Sequence, residues 1–221
     1  MKKLVLASCL YVSLSVSSRA DLIAGWDFAS LPANTITPPT MAANVGSGGL
    51  DLSAFSAVPP ITRTNFSGVV LNNFAGGDPA AGGALAIQGT NANGLSMIFS
   101  FNLTGYQDPV LTFATRGTGT GFNTHTWLYS TDNVTYNPVI ANVANQTATW
   151  SIETVDLSAF NAVDNNSTVF LELTLSGATS GSGNNRFDNI QLNATAVPEP
   201  SSLPVLAGFS ILAWNFIRRR K

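Results

Sequence analysis

Seven residues, Met97-Ile98-Phe99-Ser100-Phe101-Asn102-Leu103, carry Met, Phe, Phe and Leu at alternate positions with mostly polar side chains between them. A spacing of two marks a strand with one buried face, because successive Cβ atoms of an extended chain point to opposite sides. Val169 to Leu175 repeats the pattern, with Leu171, Leu173 and Leu175 on one face and Glu172 and Thr174 on the other. Shorter runs fall at Val110 to Thr115, Thr126 to Ser130, Trp150 to Val155 and Phe187 to Leu192. Turn-forming stretches such as Ser130-Thr131-Asp132-Asn133 and Ser180 to Asn185 separate them. No segment between Asp21 and Ala196 sustains a helical repeat of 3.6. The pattern predicts an all-β fold, a two-sheet antiparallel β-sandwich of jelly-roll type, with helices only at the two ends of the chain.

Those ends read as addresses. Lys2 and Lys3 precede the largely apolar stretch Leu4 to Val16, and Ser18-Arg19-Ala20 offers small residues where a signal peptidase reads them. Residues 1–20 are therefore expected to be a signal peptide, cut between Ala20 and Asp21. A lipoprotein leader ending at Cys9 is disfavoured, since only five residues separate Lys3 from Cys9. At the other end, Pro198-Glu199-Pro200 is followed by the apolar run Leu203 to Ile217 and the cations Arg218, Arg219, Arg220 and Lys221. Fifteen helical residues reach about 22 Å, short of the roughly 30 Å hydrocarbon core, so a transmembrane helix here needs local thinning or snorkelling flanks. The basic cluster would stay cytoplasmic and leave the sandwich outside. The expected organisation is a signal peptide at 1–20, one sandwich domain at 21–196, and a sorting tail at 197–221.

Charge excludes one class of partner. Between Asp21 and Val197 three basic residues, Arg63, Arg116 and Arg186, stand against eleven acidic ones, a net of −8. Nucleic-acid binding rests on neutralising phosphates with Lys and Arg, so no nucleic-acid partner is expected. The only cysteine, Cys9, lies in the leader, so the sandwich must hold by burial without disulfides.

Catalytic constellations are scarce. His125 is the only histidine, which restricts any Ser-His-Asp triad to one residue and removes His-rich metal sites. In Gly121-Phe122-Asn123-Thr124-His125 it is expected to be a solvated or hydrogen-bonded loop residue. Glu153 and Glu172 are the only glutamates of the domain, and Glu172 falls on the outward face of its strand, whereas glycoside hydrolysis needs two facing carboxylates. No enzyme is expected. Asp51-Leu52-Ser53-Ala54-Phe55 recurs as Asp156-Leu157-Ser158-Ala159-Phe160 without repeating flanks, which suggests a shared turn capped by Asp.

The tail, on Pro198-Glu199-Pro200 and Arg218 to Lys221, resembles the PEP-CTERM sorting domain of Gram-negative bacteria. That resemblance implies recognition by an exosortase near the Pro-Glu-Pro motif, after anchoring in the inner membrane, and association with exopolysaccharide at the cell surface or in the matrix. Within the domain, Ala24-Gly25-Trp26-Asp27-Phe28, the segment Tyr129 to Tyr136 and Asn185-Arg186-Phe187-Asp188-Asn189-Ile190 resemble extracellular jelly-roll domains of the galactose-binding kind. This second resemblance implies that the first and last strands pair, and that acidic residues there help to hold a structural calcium ion. Asp27 and Asp188 match those positions. Calcium takes six to eight oxygens, so two carboxylates would supply a minority of the shell, and turn capping or pairing with Arg186 is the competing use.

Signal peptidase, exosortase, the membrane and exopolysaccharide are thus the expected partners. The chain reads as an exported cell-envelope or matrix protein displaying a non-catalytic sandwich. The alternative is a carbohydrate-binding module in which Trp127, Tyr129 or Trp150 stacks on sugar rings. A glycan-cleaving enzyme ranks last.

Overall fold

A computed structural model describes residues 19–142 and 148–198. Among these residues, thirteen strands build two antiparallel sheets. The seven-stranded sheet runs β11 (Ser151–Asp156), β8 (Tyr106–Gly117), β13 (Asn184–Ala196), β1 (Ala20–Trp26), β3 (Val45–Gly46). β6 (Gly83–Gln88) also pairs with the first part of β13, and β5 (Arg63–Ser67) lies outside it. The six-stranded sheet runs β10 (Asn137–Asn142), β9 (Thr124–Ser130), β12 (Val169–Ser176), β7 (Leu95–Phe101), β4 (Gly48–Asp51), β2 (Thr40–Ala42). A 3₁₀ turn at Thr90–Ala92 is the one helical element among the described residues. The expected all-β, two-sheet architecture is present. The leader up to Ser18, and the tail residues Glu199, Pro200 and Arg218 to Lys221 with the apolar run between them, lie outside the described residues. No described helix is long and apolar enough to cross a membrane.

The alternating segments form the centre of one layer. Val169, Leu171 and Leu173 of β12 face Phe101, Phe99 and Met97 of β7 in register, and each of these six side chains is at most 5 % exposed. Aromatic rings then tie this sheet to the other. Trp26 of β1 meets Phe99 edge-on at 5.6 Å, Phe99 stacks on Trp127 at 6.1 Å, and Trp127 tilts against Phe113 of β8 at 5.7 Å. Such pairs add about 0.5–1.5 kcal/mol each beyond the area they bury. Close approach is needed at Gly48, where a Cβ would come within 2.9 Å of both Ala24 and the Trp26 ring.

β1 and β13 pair from Ala20↔Thr195 to Trp26↔Ile190. The first and last strands are therefore neighbours, as the jelly-roll resemblance implies. Both copies of the Asp-Leu-Ser-Ala-Phe element leave a strand in the same way. Asp51 Oδ1 accepts from Ser53 N–H at 2.7 Å and Asp156 Oδ1 from Ser158 N–H at 2.9 Å, while Leu52 and Leu157 turn into the core. A shared Asp-capped turn accounts for the echo.

Candidate functional site

Three places in the fold collect polar groups that packing alone does not require. The first lies where β1 and β13 meet the β5–β6 connection. Asp188 on β13 is 1 % exposed; its Oδ2 accepts from Val69 N–H at 2.7 Å and its Oδ1 from Asn189 N–H at 2.8 Å. Burial, which outweighs those two hydrogen bonds, pushes its carboxyl up to about 7, and the nearby charge of Asp27 adds to the rise. Asp27, just beyond β1, accepts from the N–H groups of Ala29 at 3.2 Å and Asp78 at 3.0 Å.

A hard cation fits this place by its donor chemistry. A Cβ on Gly68 would lie 2.3 Å from Asp188 Oδ2, 2.3 Å from the Ala81 carbonyl oxygen and 2.5 Å from that of Gly83. Only glycine keeps open this space, whose walls are oxygens of the type calcium selects. No group of three or more His, Cys, Asp or Glu side chains among the described residues could hold a metal, so backbone carbonyls would supply most of the shell. Competing capping is also present, since both carboxylates fasten loops. No ion pair between Asp188 and Arg186 occurs among the described residues.

Asn189 is the part of this place that sequence reasoning missed. It sits at φ 46° in the irregularity between Asp188 and Gln191, and its Nδ2 donates to the carbonyls of Val69 at 2.7 Å and Leu71 at 2.8 Å. Asn tolerates that backbone region better than most residues, and the irregular register turns its side chain onto the loop.

The second place surrounds His125, and here the expectation of a loop residue is wrong. His125 lies on β9, is fully buried, and faces the opposite sheet. Asn185 is oriented by Phe122, whose N–H donates to Oδ1 at 3.0 Å and whose carbonyl accepts from Nδ2 at 2.8 Å. Nδ2 also lies 3.0 Å from His125 Nε2; it can only donate, so the ring nitrogen accepts. Nδ1 lies 3.6 Å from Glu153 Oε2, beyond hydrogen-bond reach. The Nε2 bond from Asn185 joins the sheets inside the core, while Nδ1 has no hydrogen-bond partner among the described residues. Asn185→Ala is expected to cost about 2–3 kcal/mol, because it strands the Phe122 backbone and His125 Nε2, and the urea midpoint measures it. Glu172 lies on the outer face of the other sheet, paired across from Ile98 and Leu128, so the two glutamates do not face each other.

The third place is a groove on the outer face of the six-stranded sheet. Two adjoining hollows, of about 430 Å³ and about 400 Å³, share Gly48, Gly49, Ser100 and Phe170. Phe170 projects from the outward side of β12, opposite Ser100 on β7. Asp51, Asn133, Ile98 and Met41 line the first hollow, and Asn102 and Thr168 the second. At Gly49 a Cβ would come within 2.6 Å of Ser100 Oγ, so the glycine keeps the floor low. Asn133 sits in the turn after β9 at φ 59°, and its Oδ1 accepts from Tyr136 O–H. Asp132 in the same turn is held down to about 2 by the N–H of Thr135 first, then those of Val134 and Ser130's hydroxyl, which fixes the loop at the rim.

The aromatic residues expected to stack on sugar do not line this groove. Trp127 is 2 % exposed and clamped between Phe99 and Phe113, so neither face of its ring is free. Tyr129, on the same face of β9, packs against Phe160 at 4.9 Å. Trp150 is half-buried just before β11, in the other sheet. The aromatic side chain that does line the groove is Phe170, whose signal was an aromatic on the otherwise polar face of Val169 to Leu175. Among the sorting residues, Pro198 is exposed, and Ala20 and Asp21 are exposed at the start of β1.

No family model matches the chain, and no curated protein matches it in sequence. Solved structures similar to it in fold include the CBM22-1 xylan-binding domain of Xyn10C from Paenibacillus barcinonensis, at 14 % identity and a TM-score of 0.44 over 83 % of this chain and 100 % of that one. The K3 cleaved adhesin domain of Lys-gingipain from Porphyromonas gingivalis w83 has 11 % identity and a TM-score of 0.42, covering 79 % and 99 %. A cyclase from Fischerella sp. TAU has 12 % identity and a TM-score of 0.47, covering 82 % and 100 %.

Proposed function

We propose that the chain is an exported protein of the cell envelope or extracellular matrix whose sandwich binds saccharide in the groove of the six-stranded sheet, without catalysing a reaction. The observation that supports this reading is the groove itself. One aromatic floor, Phe170, is ringed by the short polar groups of Ser100, Asp51 and Asn133 over a length kept open by Gly48 and Gly49. An aromatic ring offers the C–H face of a pyranose an apolar surface, and carboxylate and amide groups beside it accept and donate to hydroxyls. The test is a glycan array followed by calorimetry on the hits. Phe170→Ala is expected to weaken binding about tenfold, the equivalent of 1.4 kcal/mol. Undiminished binding in that variant, or an array with no hits, ends the saccharide reading.

The two ends supply the route. Signal peptidase would cut after Ala20, the apolar tail would hold the chain in the inner membrane of a Gram-negative bacterium, and an exosortase would recognise Pro198-Glu199-Pro200. The mature amino terminus is expected at Asp21, and mass spectrometry of the native protein checks it. An intact Met1 terminus on protein from the membrane fraction rules this route out.

Calcium is proposed as a structural ion beside Gly68. Asp188 would hold it with the carbonyls of Ala81 and Gly83, and Asp27 would contribute from beside them. There it would balance buried negative charge and tie the β5–β6 connection to the last strand.

A further inference from the structure

The region between Asp21 and Val197 carries three cations, and one of them is sealed inside. Arg63 is 7 % exposed and donates to the carbonyls of Thr37 and Phe55. The other two, Arg116 on β8 and Arg186 on β13, are direct cross-strand partners. Their side chains lie on the outer face of the seven-stranded sheet, because the neighbouring Phe187 and Thr115 are buried on the inner one. Like charges directly opposite one another destabilise a sheet. Neither arginine forms a salt bridge with a carboxylate among the described residues, in a region with eleven acidic groups to choose from.

Arg186 is braced from one side only. Its guanidinium carbon lies 4.7 Å from the centre of the Phe66 ring, and Nη1 reaches the Ser67 carbonyl at 3.4 Å. Its Nε is buried with no hydrogen-bond partner, so the edge of the fork suited to a bidentate acceptor is unused. Burial, and after it the charge of Arg116, holds this guanidinium below its ordinary pKa. Beyond Arg116 the sheet ends at β11, where Ser151 pairs with Thr115. The half-buried Trp150 immediately precedes Ser151 in the chain.

We propose that Arg116 and Arg186 form an oxyanion-binding site on the outer face of the seven-stranded sheet, taking a carboxylate, sulfate or phosphate group between their guanidinium forks with Phe66 and Trp150 at its flanks. An oxyanion there relieves the repulsion within the pair and meets the planar donor geometry that lysine lacks. The site lies on the opposite sheet from the Phe170 groove and is independent of it. The oxyanion is carried by an acidic polysaccharide or arrives as a free ion, and the two sources are separable by affinity.

Arginine side-chain NMR on the whole protein, at ionic strength held constant with chloride, tests the proposal. Inorganic phosphate and a uronic-acid hexamer are titrated while the Nε–Hε signals of Arg116 and Arg186 are followed. Both probes are expected to shift both signals, and Arg116→Gln is expected to weaken the response about tenfold while melting no lower than the wild type in anion-free buffer. Arg186→Lys keeps the charge without the fork, and the Arg116 signal should then lose its response too. Tighter binding of the hexamer assigns the oxyanion to an acidic polysaccharide, and tighter binding of phosphate to a free anion. Signals that stay still up to about 50 mM of either probe, or respond equally in Arg116→Gln, overturn the site.

Discussion

Chelating calcium at pH 8 is expected to lower the melting temperature of the purified protein by roughly 5–10 °C. A site held at about 100 times its dissociation constant contributes roughly 2.7 kcal/mol, and a domain of this size shifts about 2–4 °C for each kcal/mol. Asp188 gives the experiment a second axis. Its carboxyl is pushed up to about 7, from 3.8, chiefly by burial. Below about pH 4 both the folded and the unfolded chain hold the proton, so folding gains and loses nothing from it. Between about pH 4 and 7 the folded chain keeps the proton that the unfolded chain has released, so each rise in pH favours unfolding. The loss is complete above about pH 7 and amounts to roughly 4 kcal/mol. A calcium ion at the proposed site would supply the counter-charge and should flatten the profile. Asp188→Asn should remove both the chelator effect and the slope. Identical melting curves with calcium and with chelator at pH 8 would sink the ion, and a chelated protein of constant stability between pH 4 and 7 would sink the buried proton.

The sequence shows the strands whose outer face meets water and conceals the others. β7 and β12 alternate because Ser96, Ile98, Glu172 and Thr174 stand on a partly solvated surface while Met97, Phe99, Leu171 and Leu173 are buried. β8 and β13 run to 12 and 13 residues, twice their expected length, because the β5–β6 connection covers part of the outer side of their sheet. There Ala114 and Asp188 are buried as fully as the inner residues around them, so no alternation survives to be read. β4 was concealed by Gly48 and Gly49, which look like loop and serve as strand. His125 could have been placed: it stands two residues before Trp127, so one pleat carries both to the same face, and burying the tryptophan buries the histidine. The groove could not be placed, since Asp51, Asn133 and Phe170 meet only through strand order, which alternation does not encode.

Trp127 and Phe170 should therefore fail in opposite ways. Trp127→Ala removes the ring that joins Phe99 of one sheet to Phe113 of the other, in a site at 2 % exposure where nothing small can refill the space. Substitutions of this kind cost about 3–5 kcal/mol, which for this domain is a fall of roughly 10–15 °C in melting temperature. Phe170→Ala works on the outer face, where the ring is only half-buried, and should stay within about 1 kcal/mol of the wild type while weakening saccharide binding. Calorimetric binding on Trp127→Ala, measured well below its melting point, should match the wild type once the folded fraction is accounted for. If the tryptophan variant instead keeps its stability and loses the saccharide, its indole faces solvent and the aromatic chain linking the sheets is misassigned. If both variants lose stability together and binding is untouched, Phe170 belongs to the core and the groove has no floor.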